Sequence, residues 1–489
     1  MISDLKNILK HGSIYSLGNI LSKLIGFVMI PVYTSYLTPA DYGILELLTL
    51  VSSVLATVLA LRISSGLARY YFIYKSEKEK QQLVSTSLNF VAILSIVAGI
   101  LLSSQGNFFS KLVFSKTDYT FYFILIFISL AFELATAIGY AYVRILEKSV
   151  IFITISLIQL LLGLGFNIYF IVVLKWGVSG ILYSMIISNG IACIVLSLYT
   201  YARVKFYFNV EMLKKLFFFS LPLVPAGILI FVLNMGDRFI MNRLLDLGDV
   251  GIYALGYKFG MLLSTFIGAP FASIWAPKRV EIYEDRLNRD DIFPRVFKYF
   301  TLVLVVTGLA ISVLIQDIVK VVAAPDFWSA YRVVPLVILG YTFYNMYNFV
   351  DIGFYVHNKT YYYMIINAVA AFVNVGLNFL LIPLWGVMGA AAVTAISFAV
   401  CPLLAYLISQ RYYRLKYDLV ALLKLFSLSL LVYFVTTVVN FESFYASVAV
   451  KCLILLTLPF VLYITGYFDA KELSYLGHYL RKFTLINRS

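Results

Sequence analysis

A chain of 489 residues that is 62% hydrophobic and 13% charged, with mean hydropathy +0.92, lies far from the globular range of about half apolar and a quarter charged. A water-soluble core cannot hide that much apolar side chain. The net charge of +14 is spread over many short loops and not gathered in a basic segment, which excludes a nucleic-acid surface and makes the charge a record of topology.

Apolar runs of 20 to 25 residues recur along the whole chain, the length a helix rising about 1.5 Å per residue needs to cross about 30 Å of hydrocarbon. A β-barrel would show alternating segments of about ten residues instead. The expected architecture is therefore an all-α integral membrane bundle of about fourteen transmembrane helices. Their spans are 12–36, 43–68, 84–104, 119–142, 150–174, 178–200, 216–241, 250–275, 297–316, 332–356, 361–384, 387–409, 420–440 and 446–467. The first, beginning near Gly12, is too long for a signal-peptide core and is expected to remain as span 1.

An even count puts both termini on one side. Placing them in the cytoplasm assigns 26 Lys and Arg to inner segments and seven to outer loops, the asymmetry that sets orientation. The other five, Lys23, Arg62, Arg69, Arg238 and Lys258, fall in or at the ends of spans. No polar stretch exceeds about the 21 residues of Lys278 to Lys298, which leaves no room for an extramembrane catalytic domain. Cys193, Cys401 and Cys452 lie in apolar runs without Cys-x-x-Cys spacing, so neither a metal site nor a disulfide framework is expected.

The chain also repeats itself. Asp41, Gly43 and Ile44 recur as Asp249, Gly251 and Ile252 at an offset of 208, and Trp176-Gly177-Val178-Ser179-Gly180 recurs as Trp385-Gly386-Val387-Met388-Gly389 at 209. Each copy holds six spans, so both enter the membrane from the same side. The expected domains are a lobe at 1–206, a pseudo-symmetric lobe at 207–415, and spans 13 and 14 with a tail at 416–489, with a central cavity between the lobes.

Intramembrane charges cost about 2.5 to 3.5 kcal/mol each near mid-depth on insertion scales, so they should face protein or a wet cavity. Span 1 carries a stripe of Gly12, Ser16, Asn19, Lys23 and Gly26, span 2 places Arg62, Gly66 and Arg69 on one face, span 7 carries Asn234, Asp237 and Arg238, and span 8 Tyr257 and Lys258. All five cations thus fall on the equivalent first hairpins of the two copies and form a candidate site for an anionic ligand, since Arg binds two phosphate oxygens at once. Snorkelling to the headgroups competes with this role for Arg69 and Arg238, and ion pairing with Glu46 or Glu133 competes for the rest. Glu133, followed on one face by Ala137, Tyr140 and Arg144, and Asp237 are the candidate ion-coupling carboxylates; Asp351 is a further acid in span 10. The stripe Gln159, Gly163 and Asn167 in span 5, and Asn367, Asn374 and Asn378 in span 11, read first as helix-to-helix hydrogen bonding.

The run from Gly18 to Gly26 through Pro31, the segment Leu37-Thr38-Pro39-Ala40-Asp41-Tyr42-Gly43, its second copy Leu247 to Tyr253 and both Trp-Gly-Val-x-Gly turns resemble bacterial polysaccharide flippases of the O-antigen (Wzx) type. These belong to a superfamily that also holds multidrug MATE exporters and lipid II flippases. The resemblance implies a two-lobed MATE-like fold and movement of an undecaprenyl-pyrophosphate-linked oligosaccharide to the outer leaflet by alternating access. It further implies a bacterial inner-membrane location, possible assembly with other polysaccharide-pathway proteins, and a cavity lined by spans 1, 2, 7 and 8. No cofactor is expected, the drive coming from protons, sodium or membrane potential. A MATE-type antiporter for cationic compounds would instead place a mid-depth carboxylate where span 1 has Lys23. A membrane polymerase would carry a long outer loop with paired catalytic residues, and no catalytic set is assigned.

Overall fold

The computed structural model describes residues 26–285, 289–438 and 443–468, and every regular element among them is helical. The hydrocarbon core offers no water to backbone N–H and C=O groups, and a helix satisfies them within its own segment. The first half of the chain holds α1 (Ile30–Tyr36), α2 (Pro39–Leu59), α3 (Ile63–Ile73), α4 (Glu77–Ser104), α5 (Gly106–Phe114), α6 (Thr120–Ile145), α7 (Ser149–Ile168), α8 (Gly177–Tyr201) and α9 (Val210–Ser220). There follow α10 (Val224–Met235), α11 (Asp237–Leu244), α12 (Leu247–Leu263), α13 (Ala269–Glu284), α14 (Arg289–Val322), α15 (Val334–Val350), α16 (Ile352–Val356), α17 (Tyr361–Tyr412), α18 (Leu419–Val438) and α19 (Phe444–Ile464).

Among the described residues, eleven helical segments are long and apolar enough to cross a membrane, and a twelfth is reached if the pair 325–332 and 334–356, bent by 45°, is one crossing. The two spans expected at 361–384 and 387–409 fall on one 52-residue element, α17, broken at Gly386 with φ 56° and ψ −134°. Gly177, its counterpart in the first copy, has φ 55°, so both Trp-Gly-Val turns use a positive φ, which glycine adopts at no steric cost. Of the first expected span, the portion before residue 26, with Gly12, Ser16, Asn19 and Lys23, lies outside the described residues.

Breaks inside spans follow local chemistry. Pro222 and Pro225 lack the N–H a continuous helix requires, and a single 3₁₀ turn at Leu221–Leu223 separates α9 from α10. Between α2 and α3 the chain unwinds at Leu61 and Arg62, whose φ values are 47° and 53°. Helix α2 starts with a capping box: Thr38 Oγ1 accepts from the Asp41 amide at 3.1 Å, and the Asp41 carboxylate accepts from the Thr38 amide at 3.1 Å. In the second copy the amide of Asp249 donates to Asp246 Oδ1 at 2.9 Å, so Asp246 takes the capping place that Thr38 holds in the first.

By packing, the chain forms two compact units. The first comprises Met1–Lys258, Val322–Val333 and Tyr363–Ser397. Its buried cluster includes Ile63, Leu67, Leu83, Leu88, Ile138 and Leu216, and small residues let its helices approach closely. A methyl on Gly139 would lie 2.7 Å from Leu196 Cβ. The tightest approach joins the two copies of the duplicated motif: a methyl on Gly43 would overlap the Leu247 carbonyl oxygen, and one on Gly251 would overlap that of Pro39.

The second unit comprises Phe259–Val321, Val334–Tyr362 and Phe398–Ser489. Its core is an aromatic stack in which Trp275 and Phe349 lie 4.9 Å apart and Phe271 and Phe300 4.3 Å. Arg279 donates through Nη1 to both oxygens of Asp351, at 3.0 and 2.9 Å, beneath the ring of Tyr355. Asp351 is thus tied into the packing of this unit. A second buried pair joins Lys451 of α19 to Asp317 of α14 at 2.6 Å, with Ser447 donating to the same carboxylate.

Candidate functional site

The structure brings two of the five expected cations, Arg238 and Lys258, into one cluster. Arg238 is only 1% exposed. Its guanidinium pairs with Asp237 Oδ1 at 2.6 Å, approaches Glu46 Oε1 at 3.8 Å, and lies over the rings of Tyr253 and Tyr257 at 4.9 and 3.9 Å. Lys258 donates to the Tyr42 hydroxyl at 2.7 Å. Tyr42 and Glu46 are one turn apart on α2, so this first-copy helix presents a phenol to Lys258 and a carboxylate to Arg238, both from the second copy.

Asp237 is engaged on both oxygens, since its Oδ2 accepts from the Tyr253 hydroxyl at 2.5 Å. Two cations and two carboxylates enclosed in one unit cancel, which is the arrangement that makes buried charge tolerable. In this conformation Arg238 and Lys258 are consumed by the protein. Nearby, Asn242 Nδ2 donates to the Val113 carbonyl at 2.6 Å, and Arg243 donates to Ser115 Oγ at 2.7 Å and to the Leu112 carbonyl. The two copies are therefore pinned to each other at the end expected to face outward.

Arg62 and Arg69 are different. Both are exposed and neither makes an ion pair among the described residues. Arg62 Nη2 would lie 3.1 Å from a methyl on Gly227, so its guanidinium rests against the backbone of α10. Arg69 stands over the ring of Phe219 at 4.4 Å. Lys23 lies outside the described residues.

Glu133 lines a cleft of about 760 Å³ inside the first unit, well within the range of about 300–1,000 Å³ typical of ligand sites. Helix α6 contributes Glu133, Thr136, Tyr140 and Arg144, α7 contributes Ser156, Gln159, Gly163 and Asn167, and α8 contributes Ser184, Ser188 and Asn189. The first two sets repeat at three to four residues, and Ser184 and Ser188 are four apart, as residues on one face of a helix must be. A chain of hydrogen bonds crosses the three helices: Tyr140 donates to Gln159 Oε1 at 2.6 Å, Gln159 to Asn189 Oδ1 at 2.8 Å, and Asn189 to Ser129 Oγ at 3.0 Å. A smaller space of about 370 Å³ shares Ser64 and Arg144 with the cleft and continues past Ser65 to Glu147.

The α6 and α7 stripes are visible in the sequence, but the second reads there as helix-to-helix bonding. Gln159 does bond across helices, whereas Asn167 Oδ1 has no partner among the described residues. Ser184, Ser188 and Asn189 are a further polar set, for which the four-residue spacing of Ser184 and Ser188 on span 6 is the sequence signal. Among the described residues no His, Cys, Asp and Glu group is placed to hold a metal ion, and Cys193, Cys401 and Cys452 are free thiols.

A bundle of apolar helices enclosing a polar cleft defines a multi-pass membrane protein, and the fold is that of known transporters. The structure resembles a lipid II flippase MurJ in an inward closed conformation, with TM-score 0.73 at 17% identity over 92% of this chain and 99% of that one. It also resembles a multidrug resistance MATE family transporter of the MOP superfamily in an inward-facing conformation, with TM-score 0.62 at 16% identity over 80% of this chain and 97% of the other. A Vibrio cholerae MATE transporter, VcmN in its bent form, matches with TM-score 0.53 at 14% identity over 84% of this chain and 98% of that one. At these identities the likeness is one of fold. No curated protein sequence matches the chain significantly. The chain belongs to the polysaccharide biosynthesis protein family, whose pattern it matches over residues 8–283.

Proposed function

We propose that this protein is a flippase for an undecaprenyl-pyrophosphate-linked oligosaccharide, the repeat unit of an O-antigen, capsule or exopolysaccharide. In this reading it works in the bacterial inner membrane with both termini cytoplasmic, by alternating access between two six-span lobes, and catalyses no covalent chemistry. The observation that carries it is a hydroxyl- and amide-lined cleft in the apolar bundle of a polysaccharide biosynthesis family member. A lipid tail can stay in the bilayer while a hydrophilic headgroup uses such a path.

Arg62 and Arg69, which have no carboxylate partner among the described residues, are the cations available to a pyrophosphate, and a guanidinium in a low-dielectric wall holds phosphate far better than one in water. Lys23, Lys258 and Arg238 join them in the same reading, the last two once the cluster around Glu46 and Asp237 separates. Glu133 and Asp237 are the candidate carriers of a coupling proton or sodium ion, with membrane potential as the other drive. No cofactor is required, and other polysaccharide assembly proteins are the expected partners. Deleting the gene in its host tests the reading: lipid-linked oligosaccharide should build up on the cytoplasmic face while surface glycan disappears, and unchanged surface glycan would refute it.

A further inference from the structure

Two polar groups that line the cleft have no partner among the described residues. Glu133 makes no side-chain hydrogen bond or ion pair among the described residues, and Asn167 Oδ1 is buried without a donor. Both are acceptors. The amide groups of Gln159 and Asn189 are engaged in the chain from Tyr140 to Ser129, so they support the wall and leave the ligand to Glu133 and Asn167. An unpaired carboxylate in an apolar bundle repels a phosphate and calls for O–H or N–H donors. Arg144 stands eleven residues further along the same helix, about 16 Å away at the helical rise, where the lining passes to Ser64 and Ser65. The cleft is thus polarised, with a cation at one end and open acceptors at the other.

We propose that the acceptor end is a saccharide subsite for a neutral, donor-rich sugar, whose hydroxyl or acetamido N–H groups bond to Glu133 and Asn167, and that it disfavours acidic sugars. This rests on the reading that the cargo is a lipid-linked saccharide. An ionised Glu133 can only accept, and it selects against uronic acids by charge repulsion, a contribution a hydroxyl-lined pocket lacks.

Binding of three probes to the detergent-purified full chain separates the possibilities: undecaprenyl pyrophosphate alone, the same lipid bearing N-acetylglucosamine, and the same lipid bearing glucuronic acid. The wild type should bind the acetylglucosamine form about tenfold more tightly than the other two, the worth of one or two hydrogen bonds to a charged or buried acceptor. Glu133→Gln should raise affinity for the glucuronic acid form relative to the acetylglucosamine form. Asn167→Ala should erase most of the sugar preference, and both variants should hold the sugar-free lipid as the wild type does. Equal binding of all three probes by the wild type, or equal loss of the sugar-free lipid in the variants, would overturn the subsite. A sodium-induced rise in melting temperature that Glu133→Gln abolishes, with no sugar preference, would overturn it in favour of a cation site. Failure of the wild type to bind any probe would overturn the flippase reading along with it.

Discussion

Gly251→Ala is the most informative single change in the duplicated motif. The added methyl would occupy the space of the Pro39 carbonyl oxygen and lie 2.9 Å from the Gly43 amide nitrogen, whereas carbon needs about 3.5–4.0 Å from its neighbours. Both obstacles are backbone, so no rotamer relieves them, and α2 and α12 must part. Overpacking of this kind costs about 1–3 kcal/mol, which is about 5- to 150-fold in an equilibrium between packed and separated states. Spin labels at Lys116 and Ser329, on a background with Cys193, Cys401 and Cys452 replaced, would report the separation by pulsed electron resonance in lipid nanodiscs. Gly165→Ala is the control, since nothing lies within 4 Å of a methyl there. A longer-distance population growing within that range in Gly251→Ala alone is expected. An unchanged distance distribution in a folded Gly251→Ala protein would refute the idea that this contact holds the two copies together.

Arg279→Ala strands the buried Asp351 carboxylate and should cost about 3–5 kcal/mol, whereas Arg279→Met with Asp351→Leu should recover most of it, read as melting temperature in detergent. Lys451→Ala should lower the melting temperature by leaving Asp317 unpaired, and adding Asp317→Asn should restore it. Arg62→Ala should melt as the wild type does, because no ion pair is lost, yet bind sugar-free undecaprenyl pyrophosphate about tenfold more weakly, a charge-assisted hydrogen bond being worth about 1.5–3 kcal/mol. Gly386→Ala should destabilise by about 1–3 kcal/mol, since its positive φ and negative ψ suit no residue with a Cβ.

The fold was legible because a membrane span writes itself as a long apolar run, and because Gly43 with Gly251, and Gly177 with Gly386, mark equivalent backbone needs. The mutual contact of Gly43 and Gly251 was not legible: a glycine in sequence does not reveal which backbone approaches it. That buried charge is costly follows from residue type alone, but how the cost is met depends on neighbours from distant segments. Arg238 finds Glu46 across the duplication and Asp237 beside it, while Arg62, equally conspicuous in sequence, finds no carboxylate among the described residues. Glu133 and its stripe were visible through helical spacing. That the stripes on α6, α7 and α8 face one another is a property of packing, which periodicity in one helix cannot supply.

Translocation itself is the most direct test. The purified chain, reconstituted into liposomes that carry fluorescent undecaprenyl-pyrophosphate-linked oligosaccharide in both leaflets, should make the inner-leaflet pool accessible to a membrane-impermeant quencher, and Arg62→Ala should slow this severalfold. If wild-type vesicles protect the inner pool as protein-free vesicles do, while the same preparation extrudes a cationic dye against a proton or sodium gradient, the cargo is not a lipid-linked saccharide and the account fails.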